Sequence, residues 1–97
     1  MEYYKGDIVE IITSQYKSYS DVPAHEIWYF NNQEKDVPFI GQRFKIEYIN
    51  NTTIASYRTN NQGIKDFNLY THTDRVMLYK RPLRNWIKYY LSKIKIK

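Results

Sequence analysis

The cations of the last eighteen residues are the most distinctive chemical feature of this sequence. Residues 80–97 contain seven Lys or Arg side chains and no Asp or Glu, whereas residues 1–79 contain eight cationic and ten acidic side chains. The net charge of +5 therefore combines a segment carrying +7 with a remainder carrying −2. Clustered cations contact nucleic-acid phosphates without reading the bases. This asymmetry predicts that the C-terminal segment contacts a polyanion.

The segment after Pro82 has the period of an amphipathic helix. Its large apolar side chains recur every three or four residues, at Leu83, Trp86, Ile87, Tyr90, Leu91 and Ile94. A helix places such positions on one stripe, and Pro82 suits the first helical position because its missing N–H costs nothing there. We expect the stripe to pack against the rest of the domain and the cations to stay in solvent.

Two sets of candidate binding residues follow from these patterns. The candidate nucleic-acid contacts are Lys80, Arg81, Arg84, Lys88, Lys93 and Lys95, and the candidate contacts to another partner are Tyr16, Tyr19, Arg58, Trp86 and Tyr89. The helix also suits a groove in a partner protein. An amphipathic basic helix can lie in a membrane interface as well, but this alternative is disfavoured because the stripe has a use against the domain.

Tyrosine is the second abundant candidate, with eleven copies. Exposed Tyr on a sheet can stack on unpaired bases, pack across strands, or provide contact area at a protein interface. The stretch Gln15–His25 is long for a connection in a small domain and contains Tyr16 and Tyr19. Loops of this length are often functional, so a surface excursion and a binding loop both remain open.

The catalytic and metal-binding patterns are weak. The two His residues, His25 and His72, have no third ligand at a recognisable spacing, and three Gly residues form no phosphate-binding loop. There is no Cys and therefore no disulfide or thiolate-bound metal. We predict a protein that is not an enzyme, with no catalytic residues, no metal and no cofactor.

The elements that must position these residues are mostly strands. Short runs rich in Ile, Val, Tyr, Phe and Thr alternate with turn-forming residues, including three Asn-Asn pairs. The expected strands are Asp7–Ser14, Glu26–Asn31, Arg43–Ile49, Thr52–Arg58, Ile64–Tyr70 and Arg75–Tyr79. Five or six such strands without intervening helices favour a small antiparallel barrel over a sandwich. The predicted class is mainly β (α+β), with the barrel over residues 1–79 and the basic helix over 80–97.

Two short motifs carry a resemblance to a known family. The pattern Gly6-Asp7-Ile8-Val9-Glu10-Ile11, followed by Gly41-Gln42-Arg43-Phe44-Lys45-Ile46, resembles the opening strands of SH3-like small barrels of the KOW type. The resemblance covers roughly residues 5–79 and implies a nucleic-acid role. The chain departs from the family in Gln15–His25 and in the loop Asn31–Asp36. Its Ile-, Lys-, Asn- and Tyr-rich composition is similar to that of small bacteriophage proteins.

One domain of 97 residues with 42% hydrophobic residues can form a core. The N-terminal residues lack a signal-peptide pattern and no apolar run reaches the length of a membrane span. We therefore expect a soluble, cytoplasmic protein, in the host cytoplasm if it is viral. The sequence predicts a non-enzymatic module that contacts the backbone of RNA or DNA through the basic helix. The alternative is a virus-encoded adaptor or inhibitor that binds a larger host or virion protein.

Overall fold

The computed structural model describes residues 2–26, 29–30, 33–34, 37–59, 63 and 65–94. Its strands are β1 (Ile8–Ile11), β2 (Tyr29–Phe30), β3 (Gln33–Glu34), β4 (Arg43–Lys45), β5 (Tyr48–Asn50), β6 (Thr53–Thr59), β7 (Lys65–His72) and β8 (Val76–Lys80). The helix α1 spans Leu83–Lys93, and single 3-10 turns lie at Tyr19–Asp21, Ala24–Glu26 and Thr73–Arg75. The mainly strand-built α+β class with a C-terminal helix is confirmed.

The described strands form two three-stranded antiparallel sheets and one two-stranded pair. The first sheet has the order β4-β1-β8, the second has the order β5-β6-β7, and β2 pairs with β3. The expectation of one closed barrel is wrong for these strands, because the two larger sheets are separate and are not joined edge to edge into a cylinder. All of their pairings are antiparallel, as the sequence predicted.

The predicted strand Arg43–Ile49 divides into β4 and β5, which belong to different sheets. Backbone hydrogen bonds hold the division on both sides. The Ile46 N–H donates to the Asp7 carbonyl (2.8 Å), and the Glu47 N–H donates to the Ala55 carbonyl (2.9 Å). The chain therefore passes from the first sheet to the second between Ile46 and Glu47. A continuous alternation of side chains does not reveal this crossing, because both strands keep the same period of two.

The hydrophobic core lies between the two larger sheets. Its buried members come from both sheets and from the N-terminal segment: Tyr3, Val9, Ile11, Phe44, Ile46, Ile54, Leu69 and Val76. β-Branched and aromatic side chains dominate this set, which explains why the strands form here. Burial of these side chains removes apolar surface from water and stabilises the fold by roughly 25 cal/mol per Å² of that surface.

The turns follow the Asn-Asn prediction where the structure describes them. Asn51 has a φ of 55° and lies in the tight turn between β5 and β6. The last residue of β5, Asn50, pairs with the first residue of β6, Thr53. Asn tolerates this left-handed conformation better than most residues. The other two pairs, Asn31-Asn32 and Asn60-Asn61, lie outside the described residues. Pro82 directly precedes the helix, which begins at Leu83.

Candidate functional site

A buried ion pair attaches the segment that leads into α1 to the N-terminal part of the chain. The Arg81 guanidinium donates from Nε to both Asp7 carboxylate oxygens (3.1 Å each) and from Nη2 to Oδ2 (2.9 Å). Neither side chain of the pair is exposed. Arg81 Nη2 also donates to the Glu2 carbonyl (2.8 Å). The Arg81 guanidinium is therefore enclosed by the domain and neutralised by Asp7, which disfavours the predicted contact of Arg81 with nucleic acid.

Asn85 completes the hydrogen bonding of the buried carboxylate. Its Nδ2 donates to Asp7 Oδ1 (2.8 Å) and to the Lys5 carbonyl (2.8 Å), and the Tyr4 N–H donates to Asp7 Oδ2 (3.0 Å). Burying a charge is costly unless it is paired and hydrogen-bonded. Asn85 is fully buried, and every other described residue of α1 is at least partly exposed. The one fully buried side chain of α1 that contacts the domain is thus an amide and not a member of the apolar stripe.

Three aromatic rings surround the Arg81 guanidinium. Its central carbon lies 4.9 Å from the Trp86 ring centroid, 5.2 Å from that of Tyr89 and 5.3 Å from that of Tyr4. At these distances the ring faces attract the cation. The two helical residues of this group, Trp86 and Tyr89, were predicted as partner contacts, and the structure places them, half-buried, beside the ion pair.

The opposite side of α1 presents its apolar stripe to solvent. We call Leu83, Ile87, Tyr90, Leu91 and Ile94 the outward face; their exposed fractions range from 52% to 75%. At 100° per residue the four of these side chains that lie within α1 are across the helix from Asn85, and Ile94 follows directly after the last helical residue. The expectation that the stripe packs on the domain is therefore wrong for these five residues, whereas Trp86, the sixth predicted member, is half-buried beside Arg81. The hydrogen bonds that the buried Asp7 requires orient Asn85 inward, and the stripe consequently faces outward.

Two exposed cations border the outward face along one side. Arg84 and Lys88 are one helical turn apart, so their side chains are neighbours. Within the part of the chain that the structure describes, neither forms an ion pair. Lys80 is exposed at the end of β8, and Lys93 is exposed with its Nζ 5.1 Å from the Tyr89 ring. Lys95 lies outside the described residues.

The remaining predicted contacts lie in other parts of the fold. Tyr16 is half-buried at the rim of a pocket between β1 and the turn after β7. Tyr19 begins the 3-10 turn Tyr19–Asp21, and its side chain is outside the description. Arg58 is exposed in β6, in a different sheet from the strand that leads into α1. The structure therefore brings the helical candidates together, whereas Tyr16, Tyr19 and Arg58 lie in other parts of the fold.

Sequence reasoning missed an aromatic cluster on the outer side of the second sheet. Tyr48, Tyr57 and Phe67 have ring centroids 5.1–6.5 Å apart, and Tyr70 joins Tyr48 and Phe67 around a shallow pocket of about 250 Å³. Between Ser56 and Tyr57 the register with β7 shifts by one residue. This bulge lets Phe67 and Tyr70 share one side although they are three positions apart. A one-residue irregularity of pairing has no signature in the hydropathy pattern.

Fold and site together define a small α+β protein with two three-stranded antiparallel sheets, a two-stranded pair and a basic C-terminal helix with an exposed apolar face. Comparison with protein-family models, with curated proteins and with solved structures finds no match to this chain. The described residues include no helix that is long and apolar enough to span a bilayer. They also contain no group of three His, Asp or Glu side chains placed to hold a metal ion. The resemblance to KOW-type barrels and to bacteriophage proteins stays a prediction.

Proposed function

We propose that this chain is a non-enzymatic binding module that docks onto a larger protein through the outward face of α1. One observation carries this proposal: five large apolar side chains on a single face are each at least half exposed. Contiguous apolar surface bordered by polar groups marks interaction sites in folded proteins. The other side of the same helix is already attached to the domain through Asp7, Arg81 and Asn85.

The chemistry of the outward face indicates an apolar groove with an acidic border on the partner. Helices that bind in grooves use anchors at spacings such as i, i+4 and i+7, which is the spacing of Leu83, Ile87 and Tyr90 in α1. Arg84 and Lys88 would meet carboxylates along one side, and such charge complementarity orients a complex and speeds its formation. A contact between the α1 helices of two copies fits poorly, because residues 80–97 contain no Asp or Glu to pair with these cations.

The same observations favour a protein over nucleic acid. Arg81 is occupied by Asp7, so one predicted phosphate contact is lost. Contact with a phosphate backbone would also leave the exposed Leu and Ile side chains next to hydrated oxygens. These side chains would then stay in water and gain no hydrophobic stabilisation from binding. Residues 1–79 carry a net charge of −2, so this part of the chain adds no attraction of its own to a polyanionic surface, including an anionic bilayer. The proposed role is thus the adaptor or inhibitor class.

The test compares matched variants of the intact chain. We would immobilise the wild type, apply a nuclease-treated lysate of the cells that make the protein, and identify what is retained. The retained protein would then be purified and titrated against Ile87→Ser/Leu91→Ser. The control is Met77→Ser, which removes an apolar side chain of similar exposure, 49%, from β8. We expect binding at least about tenfold weaker for the double variant and unchanged for the control, since each anchor contributes on the order of 1 kcal/mol or more.

Three outcomes would overturn the proposal. The first is equal affinity of the double variant and the wild type for the purified partner. The second is retention that disappears after nuclease treatment, together with DNA affinity that falls with salt at a log–log slope near −3.6, as expected if Lys80, Arg84, Lys88 and Lys93 each contact one phosphate. The third is that the chain co-sediments with phosphatidylserine vesicles and retains no protein from the lysate.

A further inference from the structure

A pocket of about 470 Å³, lined by both polar and apolar groups, lies between the end of β1 and the turn that joins β7 to β8. Residues 13–16 form one wall and residues 37–38 form another, while Thr71 and Arg75 complete the lining. Its volume lies in the range of roughly 300–1,000 Å³ that small-molecule sites occupy. The pocket lies apart from α1 in the fold, so it needs an explanation other than docking of the outward face.

Hydrogen bonds hold the walls of this pocket in place. The Ser14 hydroxyl donates to the Pro38 carbonyl (2.7 Å) and accepts from the Tyr16 N–H (3.2 Å). The Thr13 N–H donates to the Arg75 carbonyl (3.3 Å). These bonds join three segments that are distant in sequence. The cavity is therefore largely formed before any ligand binds, which lowers the entropic cost of binding.

Arg75 gives the pocket its charge. Its side chain is exposed, and among the described residues no carboxylate pairs with it or lines the cavity. The guanidinium is a planar fork of donors that matches a carboxylate or phosphate. Thr13, Tyr16 and Thr71 add hydroxyl groups, whereas the neighbouring Val37 is an apolar, buried residue. The lining thus combines one cation and neutral donors with an apolar portion.

We propose that this pocket binds a small organic anion, with its phosphate or carboxylate group at Arg75 and its apolar part against Val37 and Pro38. Tyr16 lies at the start of the long stretch Gln15–His25, which the sequence marks as a candidate binding loop. The proposal is independent of the docking function of α1, because the two sites share no residue.

The test uses simple probes on the intact chain labelled with nitrogen-15. Phenyl phosphate and benzoate carry an anion and an apolar ring, inorganic phosphate carries only the anion, and benzyl alcohol carries only the ring. We expect phenyl phosphate or benzoate to shift the amide signals of residues 13–16 and of Thr71 and Arg75. Inorganic phosphate should bind more weakly, and benzyl alcohol should leave these signals unchanged. Comparison of phenyl phosphate with benzoate identifies the preferred anionic group.

Two variants of Arg75 and one matched control decide the role of the guanidinium. Arg75→Gln should weaken binding of the anionic probe at least about tenfold, and Arg75→Lys should weaken it less, because it keeps the charge without the fork. Arg58→Gln is the control, since Arg58 is an exposed arginine of β6 and pairs in register with Asp66, five residues along β7 from Thr71. The Arg58→Gln variant should bind the anionic probe with the same affinity as the wild type. Spectra without probe establish that each variant is folded.

The proposal is overturned if Arg75→Gln binds phenyl phosphate and benzoate as the wild type does. It is also overturned if the shifted amides belong to residues 80–94 instead of the pocket, which would show a general affinity of the helix for anions. Equal binding of benzyl alcohol would overturn it as well, because the anion would then contribute nothing.

Discussion

Replacing Asp7 with Ala isolates the contribution of the buried ion pair to stability. In the native chain the Asp7 carboxylate accepts hydrogen bonds from Arg81, from Asn85 and from the Tyr4 N–H. The substitution leaves the Arg81 guanidinium enclosed without its counter-ion. A buried charge that loses its partner cannot recover the hydration that it gave up on folding. The variant should therefore be strongly destabilised.

The expected size of the loss follows from burial, and the chain offers a matched pair for comparison. Breaking a fully buried ion pair by removing one partner costs about 3–5 kcal/mol. Glu10 and Arg43 form a pair of nearly equal length, 2.8 Å, but with side-chain exposures of 25% and 51%. An exposed pair of this kind contributes about 0–1 kcal/mol. Since a domain of this size has a total stability of about 5–15 kcal/mol, Asp7→Ala removes a large part of it.

Urea unfolding followed by circular dichroism measures both losses. The free energy of unfolding should fall by about 3–5 kcal/mol for Asp7→Ala and by at most about 1 kcal/mol for Glu10→Ala. The double variant Asp7→Ala/Arg81→Met should recover part of the loss, because it leaves no unpaired charge inside. Equal losses for the two single Ala variants would refute the reasoning, since the burial of the Asp7–Arg81 pair would then have no energetic consequence.

Three further predictions concern the backbone, the core and pH. Gly6→Ala should destabilise more than Gly41→Ala: both have positive φ, 98° and 89°, but only at Gly6 would an added Cβ lie within 3.3 Å of other side chains. Thermal unfolding of the two variants measures the difference. Ile54→Ala should cost about 2–5 kcal/mol in urea unfolding because Ile54 is fully buried, whereas Ile87→Ala on the outward face should change stability by at most about 0.5 kcal/mol. Burial raises the pKa of Tyr3, so folding favours its neutral form, and the associated stability should be lost as pH rises above about 10, through the folded pKa. Tyr3→Phe should remove this part of the alkaline destabilisation, which a pH series of melting curves would detect.

The pattern of side chains was sufficient for the type and place of most elements. β1, β6, β7 and β8 lie within or close to the predicted runs, and α1 begins directly after Pro82. These elements depend on local periodicity and on local turn chemistry, such as the left-handed Asn51 between β5 and β6. Both are properties of a few neighbouring residues and can be read from sequence.

The same pattern of side chains does not predict which strands pair with each other. The run Arg43–Ile49 keeps one alternation, yet it supplies strands to two different sheets. The bulge that brings Phe67 and Tyr70 to the same side depends on the partner strand β6. Pairing and register are set by contacts between distant segments, so a single strand does not specify them.

The roles of individual helix residues divide in the same way. The sequence by itself determined that residues 83–93 form a basic, amphipathic helix, because helical periodicity is a local property of the chain. Only the tertiary structure decided which side of that helix faces the domain. Asp7, seventy-four residues before Arg81, is buried in the fold and requires Arg81 and Asn85 as donors. Because a buried carboxylate must be paired and hydrogen-bonded, Asn85 faces inward, and the apolar side chains on the opposite side of the helix stay exposed.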